Sequence, residues 1–235
     1  MNGRSKAGWM LLLAAAGFLT GCGGTAAPAA TTPVDMDVEA AWLDGGRLLG
    51  IVTWGSSSCP PMDGEATLAD DGTLDVVLVD PAETDPDRAC TADFAPRITT
   101  VGVPDGVDPA QPLTLAVSLG AATGQTTLAG VPGLGTPVPD TDYQPSAGWT
   151  GQPGLLAYVT WGSSTCVPAV QDLAVSGDAQ VTVTFQEPAA DRMCTMDMAP
   201  RPGLLEVTDL TTPVGAELVL SGDGVDATVP ILGGA

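Results

Sequence analysis

Carboxylates, hydroxyls and thiols are the reactive groups that this sequence offers. It contains 28 Asp and Glu, 5 Cys and no His, and its single lysine is Lys6. A chain without histidine lacks the base of a Ser-His-Asp triad and the imidazole ligands of zinc or haem iron. Asp-rich turns such as residues 70–72 match no calcium-loop spacing. We therefore expect no metal, no cofactor and no catalytic residue of these classes.

Two aspartates remain as candidates for acid–base chemistry. A glycosidase needs two carboxylates, one of which has a raised pKa and protonates the leaving group. Asp93 and Asp197 are candidates, but Arg97 and Arg201 follow them closely in the sequence. A neighbouring cation lowers a carboxyl pKa, which is unfavourable for a general acid. A non-enzymatic protein is therefore favoured over a carboxylate-based cell-wall hydrolase.

The residues that could bind a ligand or carry chemistry occur in duplicate. Residues 52–57 (VTWGSS) recur as residues 159–164, each followed by a cysteine. Residues 87–97 (DRACTADFAPR) recur as residues 191–201 (DRMCTMDMAPR), with eight of the eleven positions identical. Such self-similarity indicates one ancestral module that was copied once.

The duplication also selects a disulfide pattern. Four cysteines allow three pairings, but each copy had to fold alone before it was doubled. This favours Cys59 with Cys90 and Cys166 with Cys194, each closing a loop worth about 3.5 kcal/mol in the chain-entropy model. No Cys-x-x-Cys is present, which disfavours redox or metal-binding thiols.

The repeated Trp-Gly-Ser-Ser segments are the candidate binding surface. In one interpretation the indole packs on the disulfide and the serines bond the turn; in the other an exposed indole receives a sugar ring or a partner's apolar side chain. Packing is favoured, because aromatic residues make up only 4% of the chain and a core needs large rings. The residues concerned are Trp54, Ser56, Ser57, Trp161, Ser163 and Ser164.

Most of the arginines also belong to the repeat. We expect them to form ion pairs that pin the disulfide loops; receiving an anionic ligand is the alternative. The residues are Arg88, Arg97, Arg192 and Arg201, with Asp87, Asp93, Asp191 and Asp197.

Short alternating segments predict an all-β fold. Leu74, Val76 and Leu78 alternate with more exposed positions, and residues 113–117 and 181–185 follow the same pattern. We expect two tandem homologous antiparallel β-sandwich-like domains, residues 40–136 and 147–235, with one intradomain disulfide each and a linker at 137–146.

The N-terminal residues predict where the protein is located in the cell. Arg4 and Lys6 precede an apolar run over residues 9–18, which is followed by residues 19–22 (LTGC). This arrangement resembles the lipobox leader of bacterial lipoproteins, of an actinobacterial type. The resemblance implies that residues 1–21 are removed, that Cys22 carries lipid (diacyl, palmitate-type), and that residues 22–39 form a tether on the outer face of the cell membrane. Beyond the leader the sequence resembles no named family.

Charge narrows the choice of partner. Removal of the leader would leave 5 basic against 28 acidic residues, or −23, which repels nucleic acid. We expect a membrane-anchored, extracytoplasmic binding module whose two similar surfaces bind an envelope protein or polysaccharide. Besides the hydrolase, a purely structural envelope spacer is an alternative.

Overall fold

Strands form nearly all of the regular secondary structure. The structure is a computed structural model that describes residues 34–134, 142–177, 179–207 and 215–234; the expected leader and Cys22 lie outside these residues. A 3-10 turn at Asp44–Gly46 and a four-residue helix, α1 at Pro81–Thr84, are the helical segments of this part of the chain. The all-β prediction is confirmed.

Fifteen strands follow one another along the described chain. In the first half they are β1 (Val34–Asp35), β2 (Val38–Leu43), β3 (Leu48–Gly55), β4 (Met62–Leu68), β5 (Leu74–Val79), β6 (Ala95–Gly102), β7 (Leu113–Leu119) and β8 (Ala122–Leu128). In the second half they are β9 (Ser146–Trp149), β10 (Leu155–Gly162), β11 (Val170–Ser176), β12 (Gln180–Phe185), β13 (Ala199–Glu206), β14 (Glu217–Gly222) and β15 (Val225–Leu232).

The strand pairings of the first half recur in the second in the same chain order. An inner sheet has the order β2-β3-β6, and an outer sheet has the order β8-β7-β5-β4, with β5 and β7 parallel. The corresponding orders are β9-β10-β13 and β15-β14-β12-β11, with β12 and β14 parallel. In the second half β15 also pairs in parallel with β9, which joins the two sheets, whereas β8 pairs with the short β1.

Each outer sheet packs one face on an inner sheet and exposes the other. Along β5, Leu74, Val76 and Leu78 are buried while Asp75 and Val77 are exposed, as alternation predicts for a strand with one wet face. Two sandwich-like hydrophobic cores result, one in each half.

The inner sheets are buried on both faces, because they pack on each other. On β2, Ala40 and Trp42 belong to the first core, while Ala41 and Leu43 join a third cluster with Ala157 and Val159 of β10. Like elements meet at this interface, β2 against β9 and β6 against β13. This accounts for the continuous apolar runs of β3 and β10.

Close backbone contacts hold the two inner sheets in register. The Asp44 N–H donates to the Ser146 hydroxyl at 2.6 Å. Gly148 lies against the backbone carbonyl oxygen of Trp42, where any Cβ would overlap that atom. A larger residue at 148 would therefore separate the sheets.

The expected tether ends earlier than residue 39. Val34–Asp35 pairs with β8, Met36 packs on the first core, and β2 begins at Val38. The strand pairing and the packing of Met36 and Val38 make this segment part of the folded unit.

The third cluster makes a stability prediction. Leu43→Ala should lower the free energy of unfolding of the full chain by about 2–5 kcal/mol, because it leaves a cavity between two sheets. Val77→Ala, at a position that is 47% exposed, is the matched control and should change it by less than about 0.5 kcal/mol. Urea unfolding measures both. Equal effects would show that this cluster does not hold the sheets together.

Candidate functional site

Two disulfides close equivalent loops at the ends of the inner sheets. Cys59 is bonded to Cys90 and Cys166 to Cys194, with 5.6 Å between Cα atoms in each. Cys59 follows β3 and Cys90 precedes β6; the second pair relates in the same way to β10 and β13. These are the pairs that the sequence predicts.

An arginine connects each strand end to its disulfide. From β6, Arg97 donates to the carbonyl oxygen of Cys59 at 2.9 Å and to that of Trp54 at 3.4 Å. Arg201 makes the same two bonds in the second loop, at 3.1 and 2.8 Å. Burial lowers the pKa of both guanidinium groups, but arginine remains charged at neutral pH. A cation thus gives these carbonyl groups hydrogen-bond donors at the point where the chain leaves the strand.

The glycine after each tryptophan makes room for that arginine. A Cβ on Gly55 would lie 2.7 Å from Cζ of Arg97, and one on Gly162 would lie 2.8 Å from Cζ of Arg201. Both distances are well inside van der Waals contact. The repeated Trp-Gly dipeptide therefore has a steric explanation.

An aspartate organises the serine-rich turn of the first loop. Asp93 accepts the backbone N–H of Ser57 at 3.2 Å and the hydroxyl of Thr91. The Thr91 hydroxyl also lies 2.9 Å from that of Ser56. The hydrogen bonds from Thr91 and Ser57 lower the pKa of Asp93 to about 2. The carboxylate is fully ionised at neutral pH and acts as an acceptor.

The second loop repeats this network. Asp197 accepts the backbone N–H of Ser164 at 3.2 Å and the hydroxyl of Thr195, which lies 2.8 Å from that of Ser163. The bonds from Thr195 and Ser164 lower the pKa of Asp197 to about 2. A carboxyl with so low a pKa is ionised at neutral pH, which is unfavourable for the general acid of a hydrolase.

The loop charges do not pair as we expected. Within the described ranges no ion pair joins Asp93 to Arg97 or Asp197 to Arg201, since the arginines bond carbonyl groups and the aspartates bond N–H and hydroxyl groups. The loops are held by hydrogen bonds to ions rather than by bonds between ions.

The remaining charges of the repeat differ between the halves. Arg88 donates to a backbone carbonyl of the serine-rich turn at 3.2 Å. Arg192 instead forms an ion pair with Asp223, 3.0 Å away in the β14–β15 turn. Asp87 and Asp191 are exposed. Arg192 is thus the one repeat arginine that makes an ion pair within the described residues.

The two tryptophans of the repeat have different surroundings. The ring of Trp161 contacts Tyr143, with centroids 5.3 Å apart and planes at 81°, and its Nε1 donates to the carbonyl oxygen of Gln144 at 3.1 Å. Trp54 instead lines an open groove with Phe94, which is 77% exposed. Both tryptophans are partly exposed, so the favoured core-packing interpretation does not describe them.

Another repeated pair supplies the aromatic core. Trp42 and Trp149 are 2% and 4% exposed. Trp42 Nε1 donates to the carbonyl oxygen of Ala129 at 2.9 Å, while Trp149 Nε1 is buried without a hydrogen-bond partner among the described residues. The signal for this pair was their alignment with each other on apolar strands, which our sequence reasoning did not use.

The groove at Trp54, which we call the Trp54 groove, has a volume of about 480 Å³ and takes residues from both halves. Its lining includes Asp37, Glu39, Trp54, Phe94, Gln125 and Gln152. Accessible aromatic rings next to amides and carboxylates are the groups that contact the carbon face and the hydroxyls of a neutral sugar.

Glu39 lines this groove and has a raised pKa. Partial burial raises its pKa, the nearby Asp37 charge raises it further, and the N–H of Gly151 acts in the opposite direction. Glu39 of the first half thus lies against the backbone of Gly151 in the second half.

An apolar groove of about 580 Å³ adjoins it. Its lining includes Trp42, Leu128, Pro132, Trp149, Pro153 and Leu232, again from both halves. This volume is within the range of about 300–1,000 Å³ typical of small-molecule sites.

The comparisons with known proteins return no relative. No family model matches the sequence, and no curated protein or solved structure is significantly similar to it. In the described part of the chain, no cluster of three metal-ligating side chains is present. No helix in the same residues is long and apolar enough to cross a membrane.

The steric role of Gly55 can be tested. Gly55→Ala should lower the free energy of unfolding by about 1–3 kcal/mol, because the methyl group displaces Arg97 from its carbonyl acceptors. Gly102→Ala, at the last residue of β6 with nothing within 4 Å of the added methyl, is the control and should be neutral or slightly stabilising. Thermal and urea unfolding measure the difference. A neutral Gly55→Ala would contradict the packing.

The aspartate networks predict a pH dependence. Because the folded pKa of Asp93 is below its unfolded value of about 3.9, the network stabilises the fold above that value and is lost as the pH falls through about 2. Carboxyl ¹³C titration should give Asp93 and Asp197 midpoints of about 2. Thr91→Val should raise the midpoint of Asp93 alone, and Thr195→Val that of Asp197 alone. Unchanged midpoints in both variants would exclude the hydroxyl groups as the cause.

Proposed function

We propose that this chain is a membrane-tethered, non-enzymatic binding protein of the cell envelope, and that it binds a neutral saccharide in the Trp54 groove. Its two halves are proposed to be homologous β-sandwich-like domains with one disulfide each. Lipid on Cys22 would anchor it to the outer face of the membrane. The single observation that carries the proposal is the open Trp54 groove, with the exposed Phe94 ring and the partly exposed Trp54 ring.

The proposed homology of the halves has local support. The same strand pairings and the same arginine and aspartate contacts occur in each, at aligned residues. Two unrelated sandwiches would have no reason to share an arginine packed on a Trp-Gly dipeptide. The disulfides support an oxidising, extracytoplasmic location.

The groove's chemistry favours a neutral polar ligand. Among the described residues, no Arg or Lys lines it, while Asp37 and Glu39 do. The chain carries a net charge of −21, which repels anionic ligands. Aromatic rings beside Gln125 and Gln152 are suited to stacking with a sugar and to bonding its hydroxyls.

A hydrolase is the second candidate, with residues other than those first considered. Glu39 has a raised pKa, Asp37 contributes to that shift, and both line the Trp54 groove without an arginine. A carboxyl with a raised pKa and a second carboxyl in one groove is the arrangement of a glycosidase. If the protein is a hydrolase, Glu39 is its general acid.

Saccharide binding should depend on Trp54 and not on Trp161. On an array of neutral bacterial envelope oligosaccharides, the protein should bind a subset of glycans. Trp54→Ala should weaken binding at least 30-fold, since a central aromatic contact is worth about 2 kcal/mol or more. Trp161→Ala removes a ring that contacts Tyr143 and does not line the Trp54 groove; it is the matched control and should stay within about twofold of wild type. Calorimetry with a bound glycan measures both.

Three results would be decisive against the proposal. Absence of binding to any glycan would favour the structural spacer. Equal losses in the two tryptophan variants would show that the groove is not the site. Shortening of the bound glycan, detected by mass spectrometry and absent in Glu39→Gln, would establish the hydrolase instead.

A further inference from the structure

The Trp54 groove and the apolar groove share part of their walls. Glu39 and Thr126 line both, the first from β2 and the second from β8. Beyond them the lining changes from amides and carboxylates to Trp42, Leu128 and Leu232. The cleft between the halves is therefore polar at one end and apolar at the other.

The electrostatics of the cleft restrict what can occupy it. No cationic side chain lines either groove within the described residues. Among the lining residues that the structure describes, the ionisable groups are Asp37 and Glu39, at the polar end and at the junction. An anionic amphiphile such as a fatty acid would have to place its charge beside these carboxylates. The occupant that fits is uncharged.

Resting on the proposed function, we infer that the ligand is a neutral glycolipid. Its sugar lies on Trp54 and Phe94, and its hydrocarbon chain extends past Glu39 into the apolar groove. Because the two grooves meet at Glu39 and Thr126, the site would bind lipid-linked saccharide more tightly than free saccharide. If the hydrocarbon chain could not enter the apolar groove, a glycolipid would bind no more tightly than the free sugar.

Alkyl β-glucosides of increasing chain length test this inference. Hexyl, heptyl, octyl and nonyl glucosides are titrated calorimetrically below their micelle concentrations, with methyl glucoside as the reference. If the chain enters the apolar groove, the affinity should rise about fourfold per added methylene, the equivalent of about 0.8 kcal/mol. An affinity independent of chain length, with methyl glucoside still bound, overturns the inference and leaves saccharide binding intact.

Three variants separate the two grooves. Ala129→Asp places a charge in the apolar groove at an exposed position, and should abolish the dependence on chain length while binding of methyl glucoside persists. Ala174→Asp, on the exposed face of β11, is the matched control and should retain the full dependence. Trp54→Ala should weaken every glucoside by the same factor.

The remaining outcomes are also informative. If chain-length dependence survives in Ala129→Asp, the hydrocarbon binds elsewhere and the inference is wrong. If Trp54→Ala leaves all affinities unchanged while the dependence persists, the ligand is an apolar molecule rather than a glycolipid. If no glucoside binds and no array glycan binds, the proposed function fails, and this inference fails with it.

Discussion

The structure depends on burying both faces of the inner sheets. Ala40 and Trp42 of β2 face one core, while Ala41 and Leu43 face the opposite half. An inner strand with a single covered face would expose the apolar side chains of the other, an aggregation hazard for a sheet. The cleft exists because the two halves meet along these sheets, so residues of both halves form its walls. Gly148, packed on the carbonyl oxygen of Trp42, marks how closely the backbones approach.

The strands could be predicted from the sequence, but their neighbours could not. Alternation at Leu74, Val76 and Leu78 indicated a strand with one wet face, and the structure confirms it. Residues 48–54 are an apolar run in the sequence, and most of them are buried in the structure, because a run of apolar residues indicates burial. It does not report what does the burying. The covering sheet lies in the other half, and no local pattern specifies that contact.

The functional residues show the same division. Duplication of Arg97 in Arg201 indicated that these side chains hold the loops, but spacing alone cannot distinguish a carboxylate acceptor from a carbonyl one. The structure finds carbonyl groups, those of Cys59 and Cys166 among them. Trp54 was a candidate from the sequence, whereas Gln152 was not. It reaches the groove only because the two inner sheets pack together.

The asymmetry between the two tryptophans bears on what the second half contributes to the proposed function. Two equivalent open surfaces would favour avidity for a repetitive ligand, but the Trp161 ring contacts Tyr143 and its Nε1 is bonded to Gln144. Phe94 in the open groove is replaced by Met198 at the aligned position of the second half. One half alone would lack Gln152 and the Gly151 N–H that fixes Glu39. In the proposed function the second copy therefore completes one site rather than supplying another, which implies one ligand per chain.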